Sequence, residues 1–220
     1  MLERIMNVWR EEMAIVNKKP WMVRLSSGDF HIKNYKGFLL ETYHHAGLNP
    51  QIQAYATMFF KDNPREMISM FYKHATSEIS HDLLAMNDLA AMGENPEKLK
   101  KTRPLPATAA FNAFALMQIQ LVNPISYLGY LFHLEFLPTQ QGRGHIERLS
   151  SLGVPDNALT FLEEHATVDI GHNKMMERYI KHFVVDEKTF DDVAYALRSS
   201  CHLHYNMLAG GFENGEAIFA

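Results

Sequence analysis

The sequence predicts an all-α protein, and three features of the chain lead to this class. Apolar residues recur at intervals of three and four along most of the 220 residues, which is the period of amphipathic helices. No stretch alternates between apolar and polar residues as a half-buried strand does. Prolines, glycines and asparagines lie between the periodic stretches, where they begin or end helices. We therefore expect a single helical domain over residues 1–220, built as a bundle of about seven helices.

The composition is that of a globular chain and excludes several classes of protein. Hydrophobic residues make up 47% of the sequence and charged residues 21%, with a net charge of −4, so no basic excess indicates nucleic-acid binding. Apolar runs stay well below the roughly 18 residues of a membrane span, and charges interrupt the N-terminal segment where a signal peptide is apolar. The lone Cys201 excludes an internal disulfide and is typical of a reducing compartment. We expect a cytoplasmic protein.

Helix boundaries follow from breaking residues. The first helix stops before Pro20. Later helices have Pro64 and Pro124 in their first turns, and the last helix ends at Gly210 and Gly211. Residues 21–29 read as a loop, and residues 94–106 as an exposed linker. The core bundle covers about 30–210. The predicted helices cover residues 2–18, 30–46, 52–59, 64–92, 107–122, 124–137, 155–183 and 187–208.

The helix over residues 155–183 carries the most informative pattern. With about 100° per residue and His165 at zero, Asp169 lies near 40° and His172 near −20°. Phe161 and Met176 lie on the same side, so this face is apolar and points into the bundle. Two imidazoles and a carboxylate in the interior are unfavourable unless something satisfies them.

Two other predicted helices turn polar side chains inward. Glu78 lies within the apolar arc of the helix 64–92 and His81 at its margin, while Glu135 lies on a helix that is apolar nearly all round. Glu41 and His44 also have the Glu-x-x-His spacing of carboxylate-bridged metal bundles. His44, however, points away from the apolar arc and Glu41 sits only at its edge. We therefore assign this second pair to the solvated face.

The inward side chains predict a site for two metal ions. Left empty, three buried carboxylates would have their pKa values raised by desolvation and mutual repulsion, and the fold would lose stability. Two divalent cations nearly balance these charges, and mixed carboxylate and imidazole donors suit iron or manganese. Any one of the histidines alone could instead be a core residue bonded to a carboxylate. The predicted ligands are Glu78, His81, Glu135, His165, Asp169 and His172. Candidates for supporting or pocket residues are His45, His74, Asp82, Tyr127 and Tyr179.

The order Glu-x2-His, isolated Glu, His-x3-Asp-x2-His resembles that of the heme-oxygenase-like diiron oxidases and oxygenases. This family shares its seven-helix bundle with heme oxygenase, thiaminase II and pyrroloquinoline-quinone synthase, and the resemblance covers about residues 30–210. It implies that the six predicted ligands hold two irons, and that dioxygen is used to cleave C–C or C–N bonds or to oxygenate nitrogen. Substrates in the family are often fatty acids, amino acids or their derivatives. The first Glu and His vary in spacing among members, so Asp82 or His74 could replace one of that pair.

We expect a small carboxylate-bearing substrate and dioxygen as partners, with an external electron donor and a second copy of the chain in a homodimer. Arg143, Arg148 and Lys174 are candidates to bind the substrate carboxylate. Neither nucleic acid nor a membrane is expected as a partner.

Four alternatives stay open. They are a metal-free oxidase of the pyrroloquinoline-quinone-synthase type, a heme oxygenase, a thiaminase-II-like enzyme, and a non-catalytic helical protein that binds a ligand or partner. Heme oxygenase needs a histidine in its first helix and a glycine-rich distal helix, whereas this chain has no histidine before His31 and only Gly129 in the corresponding segment. Thiaminase II uses a cysteine from the middle of the chain, and the only cysteine here is Cys201.

Overall fold

The computed structural model describes residues 1–167 and 171–220, and these residues form helices and the turns between them, with no strand. The all-α prediction is therefore confirmed. Among the described helices, none combines the length and the apolar character needed to cross a bilayer. The α-helices are α1 Leu2–Val16, α2 Pro20–Ser27, α3 Ile32–Ala46, α4 Asn49–Thr57, α5 Arg65–Ser77, α6 His81–Ala91, α7 Pro96–Leu99, α8 Pro106–Met117, α9 Tyr127–Leu137, α10 Arg143–Ser151, α11 Thr160–Phe183 and α12 Glu187–Ile218.

The described part of the chain has more helical segments than the seven that we expect from sequence. The predicted loop over residues 21–29 contains most of α2, and the predicted linker contains α7. Short 3₁₀ turns occur at Met58–Phe60, Pro124–Ser126 and Asp156–Ala158, and π-helical turns at Gln118–Val122 and Pro138–Gly142. Proline in the first turn suits α2 and α7, because the missing N–H has no helical partner there.

The predicted helix 64–92 is two helices. α5 ends at Ser77 and α6 begins at His81, and between them Ser80 has φ 79°, in the left-handed region that residues with a Cβ rarely enter. Such backbone strain is often found at functional sites. The break lies between Glu78 and His81, so it decides where these two side chains point.

The last helix does not end at Gly210 and Gly211 but continues to Ile218. A Cβ on Gly211 would lie 2.8 Å from the carbonyl oxygen of Gly37 in α3, so the glycine is needed for close packing of two helices. The same sequence signal can thus mark a helix end or a helix contact. Here the contact prevails, and α12 packs against α1, α3, α8 and α9.

The fold surrounds α9 with other helices. α9 packs between α11 and α12, and nearly all of its side chains are buried, as its apolar sequence predicts. On one side of α9, Glu135 contacts His74 of α5 and His172 of α11, and on the other side His133 contacts Trp9 of α1 and His204 of α12. Polar side chains cluster on both sides, and a cavity joins them.

Candidate metal centre

Four buried side chains from three segments converge beside α9. His74 lies in the last turn of α5, Glu78 directly follows α5, Glu135 comes from α9 and His172 from α11, and their ligand atoms all lie within 4.8 Å of one another. Glu135 Oε1 is 3.0 Å from His74 Nε2, and Glu135 Oε2 is 3.0 Å from His172 Nδ1. We call these four residues the inner group.

Three side chains form a second cluster beside the first, which we call the outer group. It consists of Glu78, His81 and His165, again with ligand atoms within 4.8 Å of one another. Glu78 belongs to both groups: its Oε1 lies 3.4 Å from Nδ1 of His172, and its Oε2 lies 3.2 Å from Nδ1 of His81. A carboxylate shared in this way has the arrangement of one that bridges two cations.

A hydrogen bond of His165 determines which of its ring nitrogens could bind a cation. Its Nδ1 is 2.7 Å from the carbonyl oxygen of Phe161, which can only accept, so Nδ1 carries the proton and Nε2 has the lone pair. Burial, together with the neighbouring His81, lowers the pKa of His165. The ring is therefore neutral near pH 7, as a metal ligand must be.

His172 shows why a cation fits the inner group. The hydroxyl of Ser77 donates its proton to the carbonyl oxygen of His74. Its oxygen therefore accepts a hydrogen bond from Nε2 of His172, which is 3.2 Å away. Nε2 then carries the proton, and in the neutral ring the Nδ1 lone pair faces the carboxylate oxygens of Glu135 and Glu78. Acceptors facing acceptors in a buried site need a proton or a metal ion between them.

The charge of Glu135 depends on its two histidines. Burial raises its pKa, but the charges and hydrogen bonds of His74 and His172 outweigh burial and lower the pKa overall. A metal ion would stabilise the ionised carboxylate in the same way while leaving the imidazoles neutral. The donor set therefore suits a divalent cation.

Most of the predicted ligands lie in these two groups: Glu78, His81, Glu135, His165 and His172. Asp169 lies outside the described residues. His74, predicted as a supporting residue or a substitute ligand, belongs to the inner group, while the half-buried Asp82 belongs to neither group. His74 could have been found from sequence, because His74-x3-Glu78-x2-His81 repeats the spacing of His165-x3-Asp169-x2-His172.

The pair in α3 has a structural role instead. Glu41 is buried, and its Oε2 accepts from the backbone N–H of Leu105 at 3.0 Å and from the hydroxyl of Thr108. It thus holds the start of α8 against α3, and the assignment of Glu41 to the solvated face is wrong. His44 contacts Thr102 and, like Glu41, belongs to neither group.

A cavity of about 140 Å³ adjoins both groups. Glu78, Glu135 and His165 line one end, apolar side chains from α1, α2, α3, α11 and α12 form the walls, and the described lining contains no lysine or arginine. Arg143, Arg148 and Lys174 are exposed and do not line the cavity, so they are not placed to bind a substrate carboxylate there.

Four histidines line the rest of the cavity: His45, His133, His145 and His204. Of these, only His45 is among the candidates from sequence, since wheel analysis cannot identify contacts between helices. Tyr127 and Tyr179, the other pocket candidates, are fully buried but do not line the cavity, and Tyr179 stacks on Phe71. They belong to the packed core.

Cys201 also lines the cavity, but it is not prepared for nucleophilic attack. The side chain is buried, and burial raises the pKa of its thiol to about 12. Near neutral pH it is therefore a neutral thiol, whereas nucleophilic cysteines react as thiolates.

Fold and side-chain clusters together define an all-α protein with buried carboxylates and imidazoles beside a cavity. The model of a family described as iron-containing redox enzymes, with a heme-oxygenase-like fold, matches residues 36–205, and the chain belongs to this family. No curated protein matches the chain in sequence.

Solved structures support the heme-oxygenase-like fold. A domain of unknown function with this fold from Shewanella denitrificans OS217 has a TM-score of 0.83 and 22% identity, covering 99% of this chain and 93% of that one. A TenA homolog from Pseudomonas syringae pv. tomato DC3000 has a TM-score of 0.74 and 14% identity, with coverages of 96% and 92%. A TenA homologue from P. horikoshii OT3 has a TM-score of 0.76 and 12% identity, with coverages of 96% and 98%.

Proposed function

We propose that this protein is a non-heme diiron oxidase or oxygenase that uses dioxygen to oxidise a small, carboxylate-bearing substrate in the cavity. The observation that carries the proposal is the shared position of Glu78, whose two oxygens face different imidazoles in two adjoining groups. One iron ion would be held by the inner group, which is His74, Glu78, Glu135 and His172. The other would be held by the outer group, which is Glu78, His81 and His165. Family membership supports iron as the metal.

The chain's own residues would prepare the site for this chemistry. Bound iron of this kind supplies the one-electron steps by which dioxygen reacts with an organic substrate. The carbonyl oxygen of Phe161 fixes the His165 ring with its Nε2 lone pair available, and Ser77 orients His172 in the same manner. The apolar walls keep water from the reacting groups, which strengthens electrostatic interactions within the site.

The cavity limits the size of the substrate and where its carboxylate lies. Its volume of about 140 Å³ is close to the roughly 150 Å³ of an engineered cavity that binds benzene. An amino-acid-like molecule fits this volume better than a long-chain fatty acid. Because no described lysine or arginine lines the cavity, the metal ions are the cations available to the substrate carboxylate. The proposal also includes an external electron donor and a homodimer.

A second candidate is a helical protein that binds a ligand without metal or catalysis. The 3.0 Å contacts of Glu135 with His74 and His172 favour it, because a carboxylate between two protonated imidazoles is also stable in a buried site. In that protein the cluster would hold protons in place of cations.

Anaerobic titration with ferrous iron, followed by metal analysis, tests the proposal. We expect about two irons per chain in the wild type, about one in His165→Ala, which affects only the outer group, and none in Glu78→Ala, which affects both. His145→Ala is the matched control, because this histidine lines the same cavity but belongs to neither group. It should bind as much iron as the wild type.

Fewer than one iron per wild-type chain, or full binding by Glu78→Ala, would refute the diiron proposal. Equal loss in His145→Ala would mean that the variants damage the fold and not the site. A metal-free oxidase would consume dioxygen and substrate in the presence of a chelator, whereas the proposed enzyme would not.

A further inference from the structure

His133 and His204, which line the cavity, belong to a chain of hydrogen-bonded rings. Trp9 Nε1–H donates to His133 Nδ1 at 3.2 Å, and His133 Nε2 lies 2.9 Å from His204 Nδ1. An indole nitrogen is only a donor, so Nδ1 of His133 accepts and its Nε2 carries the proton. His133 Nε2–H therefore donates a hydrogen bond to Nδ1 of His204. In the neutral His204 ring the proton is then on Nε2.

The protonated Nε2 of His204 has no hydrogen-bond partner among the described side chains, although His204 lines the cavity. The ring is also fixed from the side, because it stacks on Phe111 with centroids 5.4 Å apart. His204 therefore presents one oriented N–H donor.

His45 presents the complementary acceptor. Its Nδ1 lies 2.7 Å from Oδ1 of Asn112, which can only accept, so Nδ1 carries the proton and Nε2 has the lone pair. The hydroxyl of Tyr130 is 3.5 Å from this nitrogen but donates to Oδ1 of Asn49 at the shorter distance of 3.1 Å. The ring is buried, also lines the cavity, and has its centroid 6.3 Å from that of His204.

We propose that His204 and His45 form a binding subsite for one uncharged group that both donates and accepts a hydrogen bond, such as a carboxamide. This subsite rests on the proposed function for its purpose, since it would hold the end of the substrate that lies away from the metal ions. Charged ends are disfavoured, because burial lowers the pKa of both imidazoles and the described cavity lining has no lysine or arginine. A substrate with a carboxylate at one end and a carboxamide or alcohol at the other matches both ends of the cavity.

Nuclear magnetic resonance of the metal-free 220-residue chain with ¹⁵N-labelled histidine rings tests the subsite directly. At pH 7 we expect His133 and His204 as Nε2–H tautomers and His45 as the Nδ1–H tautomer. Butyramide, which donates and accepts, should shift the ring resonances of His45 and His204 saturably. Butyrate, which is charged, and 2-pentanone, which only accepts, should bind about tenfold more weakly.

Variants locate the binding site. His204→Leu should weaken butyramide binding about tenfold, and His204→Gln, which keeps a donor, should retain more of the affinity. His182→Gln is the matched control, since His182 bonds Asn63 and does not line the cavity. It should bind butyramide like the wild type.

Equal binding of butyrate and butyramide, or the opposite tautomer of His204, would overturn the subsite, and the tautomer measurement needs no variant. The two proposals fail separately. If iron binds but butyramide does not, only the subsite is wrong; if butyramide binds but iron does not, the diiron function is wrong and the subsite stands.

Discussion

His45 is a buried histidine whose environment keeps it uncharged. Burial lowers its pKa from 6.5 to about 4, and the hydrogen bond to Asn112 offsets only part of this effect. Between pH 4 and 6.5 the unfolded chain therefore binds a proton at this residue that the folded chain does not. The resulting contribution to stability is fully present above about pH 6.5 and is lost as the pH falls towards 4.

We predict that His45→Gln makes the free energy of unfolding less sensitive to acid. Relative to the wild type, the variant should gain about 3 kcal/mol between pH 7 and pH 4, because the proton uptake of this residue on unfolding is removed. Urea unfolding of the metal-free protein at several pH values measures the difference. Parallel pH profiles for the two proteins would contradict the assignment.

The role of a single residue could be predicted where the sequence of one helix was enough to indicate it. Glu135 stands out because a carboxylate on an otherwise apolar helix must be satisfied, and the structure brings His74 and His172 to it. His133 and His204 carry no comparable clue, since their significance comes from a contact between α9 and α12. A helical wheel contains no information on which residue of another helix faces a given position.

Asp88 determines where the helix with the most site residues begins. This fully buried carboxylate in α6 accepts from the backbone N–H groups of Thr160 and Phe161, at 3.1 and 3.0 Å, and from the hydroxyl of Thr160. These N–H groups lie in the first turn of α11 and have no helical acceptor. Asp88 thus caps α11 from a neighbouring helix and fixes the position of His165.

We predict that Asp88→Ala destabilises the protein by about 2 to 3 kcal/mol, because it removes charge-assisted hydrogen bonds from a buried helix start. It should also weaken iron binding, since α11 carries ligands of both groups. Asp186→Ala is the matched control, because the exposed Asp186 caps α12 and belongs to neither group. This variant should lose less stability and bind iron like the wild type. Thermal unfolding and ferrous titration measure the two effects. Unchanged iron affinity in Asp88→Ala would show that the cap supports stability alone.

The sequence predicts that these segments are helical, but it does not predict where one helix ends and the next begins. The period of apolar residues continues through Glu78 and His81, so nothing in it reveals the turn at Ser80. The cap of α11 could not be predicted from sequence, because the capping residue, Asp88, is far from α11 in the chain. Local capping rules consider only the residue beside the helix. Element boundaries depend on such contacts more than element identity does.

The most extensive contact between helices in the described part of the chain, that of α3 with α12, depends on the absence of side chains. α3 and α12 approach so closely that a Cβ on Gly215 would lie 2.0 Å from the carbonyl oxygen of Lys33, and one on Gly37 would lie 1.9 Å from that of Gly211. Backbone atoms cannot yield to a methyl group as a flexible side chain can. The glycines therefore bring α3, with His45, against α12, with His204.

We predict that Gly215→Ala destabilises the protein by about 1 to 3 kcal/mol through overpacking, even though alanine favours helices more than glycine does. Gly144→Ala is the matched control, because this helical glycine has no atom within 4 Å of the position of a Cβ. It should stabilise the protein by about 0.5 to 1 kcal/mol. Opposite shifts in melting temperature would support this account, and a stabilising Gly215→Ala would contradict it.

The fold class followed from sequence because periodicity and motif order agree with each other throughout the chain. The polar lining of the cavity could not be predicted in this way, since α3, α4, α9, α10 and α12 each contribute one or a few polar side chains that are unremarkable alone. Packing of the whole molecule is needed before these residues share a space.

The two groups also differ in how readily an ion could reach or leave them. All four members of the inner group are buried, whereas His81 and His165 of the outer group are partly accessible. In the proposed diiron protein, the more accessible outer position would exchange its ion with solvent more readily than the buried inner position. A mild chelator should therefore strip the centre stepwise, with a half-loaded protein as a long-lived species.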